Sequence, residues 1–190
     1  MIIVSQIENF LSESQCEQII KEFNNLLVKA ETIDSHKNVR KSLVRFIEID
    51  SVHKKILDTI NGLISLKNFY IEKNEDIQFT KYEIGDYFDW HTDSTYESNS
   101  TYESNNQLEQ IKNRTYSIVI QLNDEYEGGD FLYEDINTKE IKSIKKQKGS
   151  IFLFNSSIRH KVDTITKGTR YSLVTWLKLN QIENVKKTLL

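Results

Sequence analysis

Apolar side chains recur at helical spacing in the first third of the chain and at strand spacing through the rest. Ser12 with Gln15, and Ser14 with Glu17, form overlapping capping-box patterns that announce a helix running to about residue 30. Its apolar positions Ile19, Ile20, Phe23, Leu26 and Leu27 fall on one face, as a helix lying against a sheet requires. Residues 31–41 are polar and read as loop. A strand is predicted over 44–49, followed by a helix over 51–66. Further strands are predicted over 68–72, 77–83, 88–93, 115–122, 130–134, 140–144, 150–154, 160–163 and 170–177. Helices first and many short strands after point to an α+β chain whose core is a sandwich or barrel.

Composition narrows the partners. The 190 residues suffice for one domain with a substantial core, and the formal net charge is -3. There is no long basic run, so phosphate neutralisation, and with it nucleic-acid binding, has no support. No apolar stretch is long enough to span a bilayer, and residues 1–6 carry no signal-peptide pattern, so no membrane partner is expected. A single cysteine, Cys16, excludes an intramolecular disulfide and suits a reducing, cytoplasmic compartment. Proline is absent, for which we have no functional account.

Chemistry concentrates in one ordered set: His91-Thr92-Asp93, then His160, then Arg170 in Gly168-Thr169-Arg170-Tyr171-Ser172. Two imidazoles and one carboxylate are the ligands of the non-heme Fe(II) facial triad, which leaves the metal's other side open. On a strand, residues two apart share a face, so an extended 88–93 lets His91 and Asp93 reach one ion. If 160–163 and 170–177 pair as a hairpin, Arg170 lies near His160. Its planar guanidinium suits the distal carboxylate of 2-oxoglutarate. Asp89 shares the parity of His91 and Asp93, and is placed either to support them or to sit at the cleft edge. His36 and His53 lack partner spacing and read as structural or solvated. A tandem hexapeptide follows Asp93: Ser94-Thr95-Tyr96-Glu97-Ser98-Asn99 repeats as Ser100-Thr101-Tyr102-Glu103-Ser104-Asn105. Residues 94–113 read either as a mobile lid whose tyrosines contact substrate or as a neutral duplication.

Over roughly 77–179 the chain resembles the Fe(II)- and 2-oxoglutarate-dependent dioxygenases, in their prolyl 4-hydroxylase-like branch. The resemblance is carried by Tyr82-Glu83-Ile84-Gly85-Asp86-Tyr87-Phe88-Asp89-Trp90-His91-Thr92-Asp93 and by the Arg114-led strand. The Gly128-Gly129 hairpin, Lys148-Gly149-Ser150-Ile151-Phe152-Leu153-Phe154, His160 and the strand from Arg170 to Trp176 complete it. It departs where members commonly carry prolines, since Val162-Asp163-Thr164-Ile165-Thr166 has none.

The resemblance implies a double-stranded β-helix (jelly-roll) core, about 68–179, with N-terminal helices over about 8–66 packed on the major sheet. It implies that His91, Asp93 and His160 bind Fe(II), and that Arg170 and the Tyr82 hydroxyl hold the distal carboxylate of the cosubstrate 2-oxoglutarate. Ser172, Gln121 and Ser117 are further lining candidates, and no catalytic residue is implied beyond the metal ligands. The implied reaction consumes O2, releases succinate and CO2 and hydroxylates an unactivated C–H bond, with ascorbate as an accompanying reductant in many members. A prolyl or similar residue of a peptide or protein is the inherited substrate. A free amino acid or small metabolite is the alternative, and a non-enzymatic cupin-like binding module is the alternative from another class.

Overall fold

A computed structural model of the chain describes residues 4–25, 27–30, 39–63, 69–94 and 114–181. The order opens with strand β1 (Val4–Ile7), helix α1 (Glu13–Phe23) and strands β2 (Val28–Lys29), β3 (Arg40–Lys41) and β4 (Leu43–Ile47). Helix α2 (Asp50–Leu63) precedes β5 (Phe69–Asn74), β6 (Ile77–Tyr82), β7 (Tyr87–His91) and β8 (Tyr116–Gln121). Then come β9 (Glu127–Gly128), β10 (Phe131–Glu134), β11 (Ile141–Ser143) and β12 (Ile151–Asn155). The last are β13 (His160–Val162), β14 (Ile165–Lys167) and β15 (Arg170–Gln181).

Helix α1 starts where its capping box predicts. The Ser12 hydroxyl accepts from the Gln15 amide at 3.2 Å, and the Gln15 side chain accepts from the Ser12 amide at 2.9 Å. It stops at Phe23, well short of residue 30, because Asn24 and Asn25 are poor helix residues and the chain turns into β2.

The strands build a large eight-stranded sheet ordered β1-β12-β8-β15-β6-β4-β2, with β5 also on β15, and a five-stranded sheet ordered β11-β10-β13-β7-β3. A short β14-β9 pair stands beside them. Both faces of the large sheet are covered, so all six residues of β8 are buried. Ile118 and Ile120 face outward and pack with Cys16 and Ile19 of α1 and Val52, Ile56 and Ile60 of α2. Val119 points the other way, where Phe152 and Phe154 of β12 meet Phe131 and Val162 of the small sheet. Two facing antiparallel sheets with helices on the outer face of the larger one make the expected jelly roll. Burial pushes the Cys16 thiol up to about 11, so it behaves as a small apolar side chain.

Two local expectations are corrected. Strands β13 and β15 do not form a hairpin: β13 pairs with β7 and β10 in the small sheet, while β15 joins the large one. Residues 163–169 carry the chain across, with β14 resting on β9 on the way. Strand β7 ends at His91, so Asp93 is not on it. Asp93 lies in a bend whose amide, with that of Ser94, donates to the Ser156 carbonyl at 2.9 and 3.1 Å. The expectations for His36 and for the tandem hexapeptide beyond Ser94 fall outside the described residues.

Candidate active site

His91 ends β7 and His160 opens β13, and the two are direct partners across the ladder, with ring centroids 4.1 Å apart. Side chains of directly paired residues share a face, here the one turned toward the large sheet. One extra residue in β7, between the pairs Val162–Phe88 and His160–His91, forms a bulge that also brings Phe88 to that face. The Phe88 ring stacks on His91 with centroids 3.5 Å apart, and Phe131 and Phe154 pack around His160. The bend after β7 swings the Asp93 carboxylate between the imidazoles. It stands 3.5 Å from His91 Nε2 through Oδ1 and 3.7 Å from His160 Nε2 through Oδ2. One ligand atom from each of the three lies within 4.8 Å of the other two.

The ring orientations are set by backbone carbonyls. His91 Nδ1 meets the Asp89 carbonyl at 2.7 Å, and His160 Nδ1 meets the Ile158 carbonyl at 2.8 Å. A carbonyl only accepts, so each Nδ1 carries a proton and each Nε2 is turned toward Asp93. Burial pushes the His160 imidazole down to about 4, outweighing the pull of the Asp93 charge, so it is neutral at physiological pH. Burial also works to raise the Asp93 carboxyl. The neighbouring His160 and His91 and the Ser117 hydroxyl outweigh it and hold the group well below the usual carboxylate range. Two imidazole nitrogens and one ionised carboxylate oxygen, aimed at one point, fit a divalent cation.

Arg170 opens β15 on the facing sheet, opposite Tyr82 of β6. Its side chain is among the largest fully buried ones, at 2% exposure. Nη1 donates to the Ser172 hydroxyl and Nη2 to Gln121 Oε1, both at 3.1 Å, while Nε has no partner among the described residues. The guanidinium lies 5.4 Å from the centre of the Tyr82 ring. None of the described carboxylates neutralises it, a costly state for a buried charge unless an anion joins it. Arg170, Tyr82 and Ser172 line one wall of a cleft of about 420 Å³ whose other wall carries His91, Asp93, His160, Phe88 and Val162.

The remaining sequence candidates sit behind this cleft or away from it. Gln121 is not on its wall: it holds Arg170 through Oε1, while its Nε2 donates to the Tyr126 hydroxyl at 2.8 Å and the Asn123 carbonyl at 2.7 Å. Ser117 does not face the Arg170 end. Its hydroxyl donates to Asp93 Oδ2 at 2.6 Å and lies 2.9 Å from the Ser156 hydroxyl. The Asp89 side chain is exposed and, among the described residues, accepts from the Trp90 amide; the bulge removes the parity it was given, and its carbonyl holds His91 instead. His53 stays on α2, apart from the cleft. Sequence reasoning missed Ser156, although the small polar run Asn155-Ser156-Ser157 between an apolar strand and His160 was a turn signal. It also missed Arg40, which lines the cleft from a segment read as loop.

The family model described as the 2OG-Fe(II) oxygenase superfamily matches residues 77–178, more than half of the chain. A PKHD-type hydroxylase of Prochlorococcus marinus is 26% identical over 140 residues, covering 70% of this chain and 58% of the relative. The chain thus spans little more than half the length of that curated relative. Among solved structures, a Pseudomonas putida prolyl-4-hydroxylase aligns at TM-score 0.68 and 18% identity, covering 92% of this chain and 91% of that one. A Trichoplax adhaerens prolyl hydroxylase, in complex with a peptide fragment of the hypoxia inducible factor oxygen degradation domain, aligns at 0.71 and 17%, covering 92% and 83%. With its jelly roll, its His-Asp-His cluster and its buried arginine facing that cluster, the chain belongs to the 2OG-Fe(II) oxygenase superfamily.

Proposed function

We propose that this chain is an Fe(II)- and 2-oxoglutarate-dependent dioxygenase that hydroxylates a prolyl or similar residue of a peptide or protein. The observation that carries the reading is the convergence of His91, Asp93 and His160 opposite a buried arginine that lacks a carboxylate partner. A binding module without catalysis has no use for both. In this reading the three side chains hold the metal on one face. Arg170, with the Tyr82 hydroxyl and Ser172, fixes the distal carboxylate of 2-oxoglutarate. The bound iron supplies the redox chemistry: O2 puts one oxygen atom into succinate as CO2 leaves, and the other into the substrate C–H bond. The protein orients the reactants and excludes water, which the apolar rings of Phe88, Phe131 and Phe154 do around the histidines.

The prolyl substrate class is supported by the names of the similar proteins and by the peptide bound to the Trichoplax structure. A peptide also suits the inner face of the large sheet. Phe46, 57% exposed, is paired with the cleft residue Gln78 and extends that face beyond the cleft as an apolar shelf. No helix among the described residues is long and apolar enough to cross a membrane. A cytoplasmic setting belongs to the same reading, since a lone buried thiol and a ferrous metal both suit a reducing compartment.

The test is succinate formation from 2-oxoglutarate by Fe(II)-loaded protein against proline-containing peptides and free amino acids, with mass spectrometry of the products. Peptide-dependent succinate and a one-oxygen mass gain on the peptide are expected. Turnover confined to free amino acids would remove the peptide reading, and no substrate-dependent succinate from any of them would remove the hydroxylase.

A further inference from the structure

Residues 40–47 cross from the small sheet to the large one, β3 pairing with β7 and β4 with β6. Arg40 stands directly opposite Phe88, so both side chains face the cleft, and both line it. Its Nε donates to the hydroxyl of buried Ser42 at 2.8 Å, and its guanidinium lies 4.6 Å from the centre of the Phe88 ring. That ring in turn is stacked on His91. Anchored along one edge and over one face, the guanidinium is held in a plane, while Nη1 and Nη2 have no protein partner among the described residues.

Neighbouring carboxylates are already engaged. Asp86 pairs with Lys41 at 2.9 Å, Glu83 with Lys81 at 2.7 Å, Glu75 with Arg114 at 2.6 Å, and Asp89 accepts from its neighbour's amide. Asp93, the one acid among the described residues of the cleft wall, is taken up by the histidines and Ser117. A fork fixed in this way loses little rotamer freedom on binding, and its two parallel donors match a carboxylate.

We propose that Arg40 is a docking point for a carboxylate of the primary substrate, separate from the cosubstrate clamp at Arg170. The inference rests on the hydroxylase reading and narrows its substrate. Only the Phe88 ring separates the guanidinium from His91, and an extended chain advances about 3.3–3.6 Å per residue. In a peptide, the acidic residue therefore lies within about two positions of the residue hydroxylated. In a free amino acid, the same fork takes the α-carboxylate.

The test measures binding, so it does not depend on turnover. Protein loaded with Zn(II) and 2-oxoglutarate is titrated calorimetrically with end-blocked proline peptides carrying Asp or Asn next to the proline, and with free proline and prolinamide. One charge-assisted pair at a partly exposed arginine favours the acid over its amide by about tenfold. In Arg40→Gln that preference is expected to vanish, and in Arg40→Lys to survive in part. An Asp/Asn preference assigns the carboxylate to a peptide side chain, and a proline/prolinamide preference assigns it to a free amino acid. Equal binding of acid and amide by the wild type overturns the proposal, as does an equal loss for both in Arg40→Gln. So does a matching loss of 2-oxoglutarate affinity in that variant, which would place Arg40 in the cosubstrate site. Arg40-dependent acid binding without succinate formation would instead sink the hydroxylase reading and leave the carboxylate site standing.

Discussion

Arg170 is the least replaceable side chain in the cleft, because its charge is buried and its neighbours Ser172 and Gln121 are neutral. Breaking a buried ion pair by removing one partner costs on the order of 3–5 kcal/mol. Arg170→Ala is therefore expected to raise the 2-oxoglutarate KM at least a hundredfold, read from cosubstrate titrations at saturating iron; an unchanged KM would rule out the clamp. Ser117 would act on a metal held by Asp93 instead, through its hydrogen bond to that carboxylate. Losing the partner that orients a ligating carboxylate costs roughly 10- to 100-fold in metal affinity. Ser117→Ala should weaken Co(II) or Fe(II) binding by that factor in direct titration, and equal affinity would show the bond to be incidental. The triad and Arg170 were legible because metal and carboxylate chemistry demand particular residue types. Ser117 was read only as an inward-facing lining candidate, and its hydroxyl is found on Asp93: alternation along β8 shows which face a side chain takes, and says nothing of what stands opposite it.

Strands long enough to show a period were read correctly from the pattern, as β6, β8, β12 and β15 illustrate. Of the strands of two to four residues, β10, β11 and β13 were read and β1, β2, β3, β9 and β14 were not, since so short a run displays little alternation. Three of the missed strands shape the site nonetheless: β3 carries Arg40, and the β9–β14 pair lies beside the start of β15. The bulge in β7 was equally invisible, and it is why Asp89 was misplaced while His91 was not. Gly128 shows how close the β9–β14 approach is. Its φ is +70°, and an added Cβ would fall 2.2 Å from the Thr164 carbonyl oxygen and 2.9 Å from the Thr166 nitrogen, both backbone atoms that cannot swing aside. Gly128→Ala should destabilise the protein by about 1–3 kcal/mol or more, lowering the melting temperature by several degrees in a thermal scan. A variant melting with the wild type would mean that the two strands stand further apart than described.

Taken as one molecule, the metal-free protein should lose stability on mild acidification. His160 stays neutral in the fold down to about pH 4, whereas in the unfolded chain it takes a proton near 6.5. Between these values the unfolded state binds more protons, so stability present above pH 6.5 is lost as the pH falls toward 4, by on the order of 3 kcal/mol. The depressed Asp93 carboxyl adds to the loss only further into acid. Urea unfolding of the metal-free wild type and of His160→Asn at several pH values checks this; the variant should show the shallower decline, and identical slopes would contradict it. The twelve-residue strand β15 lies between β6 and β8, in the middle of the large sheet, yet it is the last strand in the described chain. While a ribosome is still upstream of residue 170, β6 and β8 have no shared partner and their open edges invite pairing with other chains. Closure must wait for contacts made across most of the sequence, which favours slow folding. Because Arg170 begins that same strand, the step that completes the sheet also installs the arginine proposed to clamp 2-oxoglutarate. Nascent fragments cut off before it would be both unfolded and without that arginine.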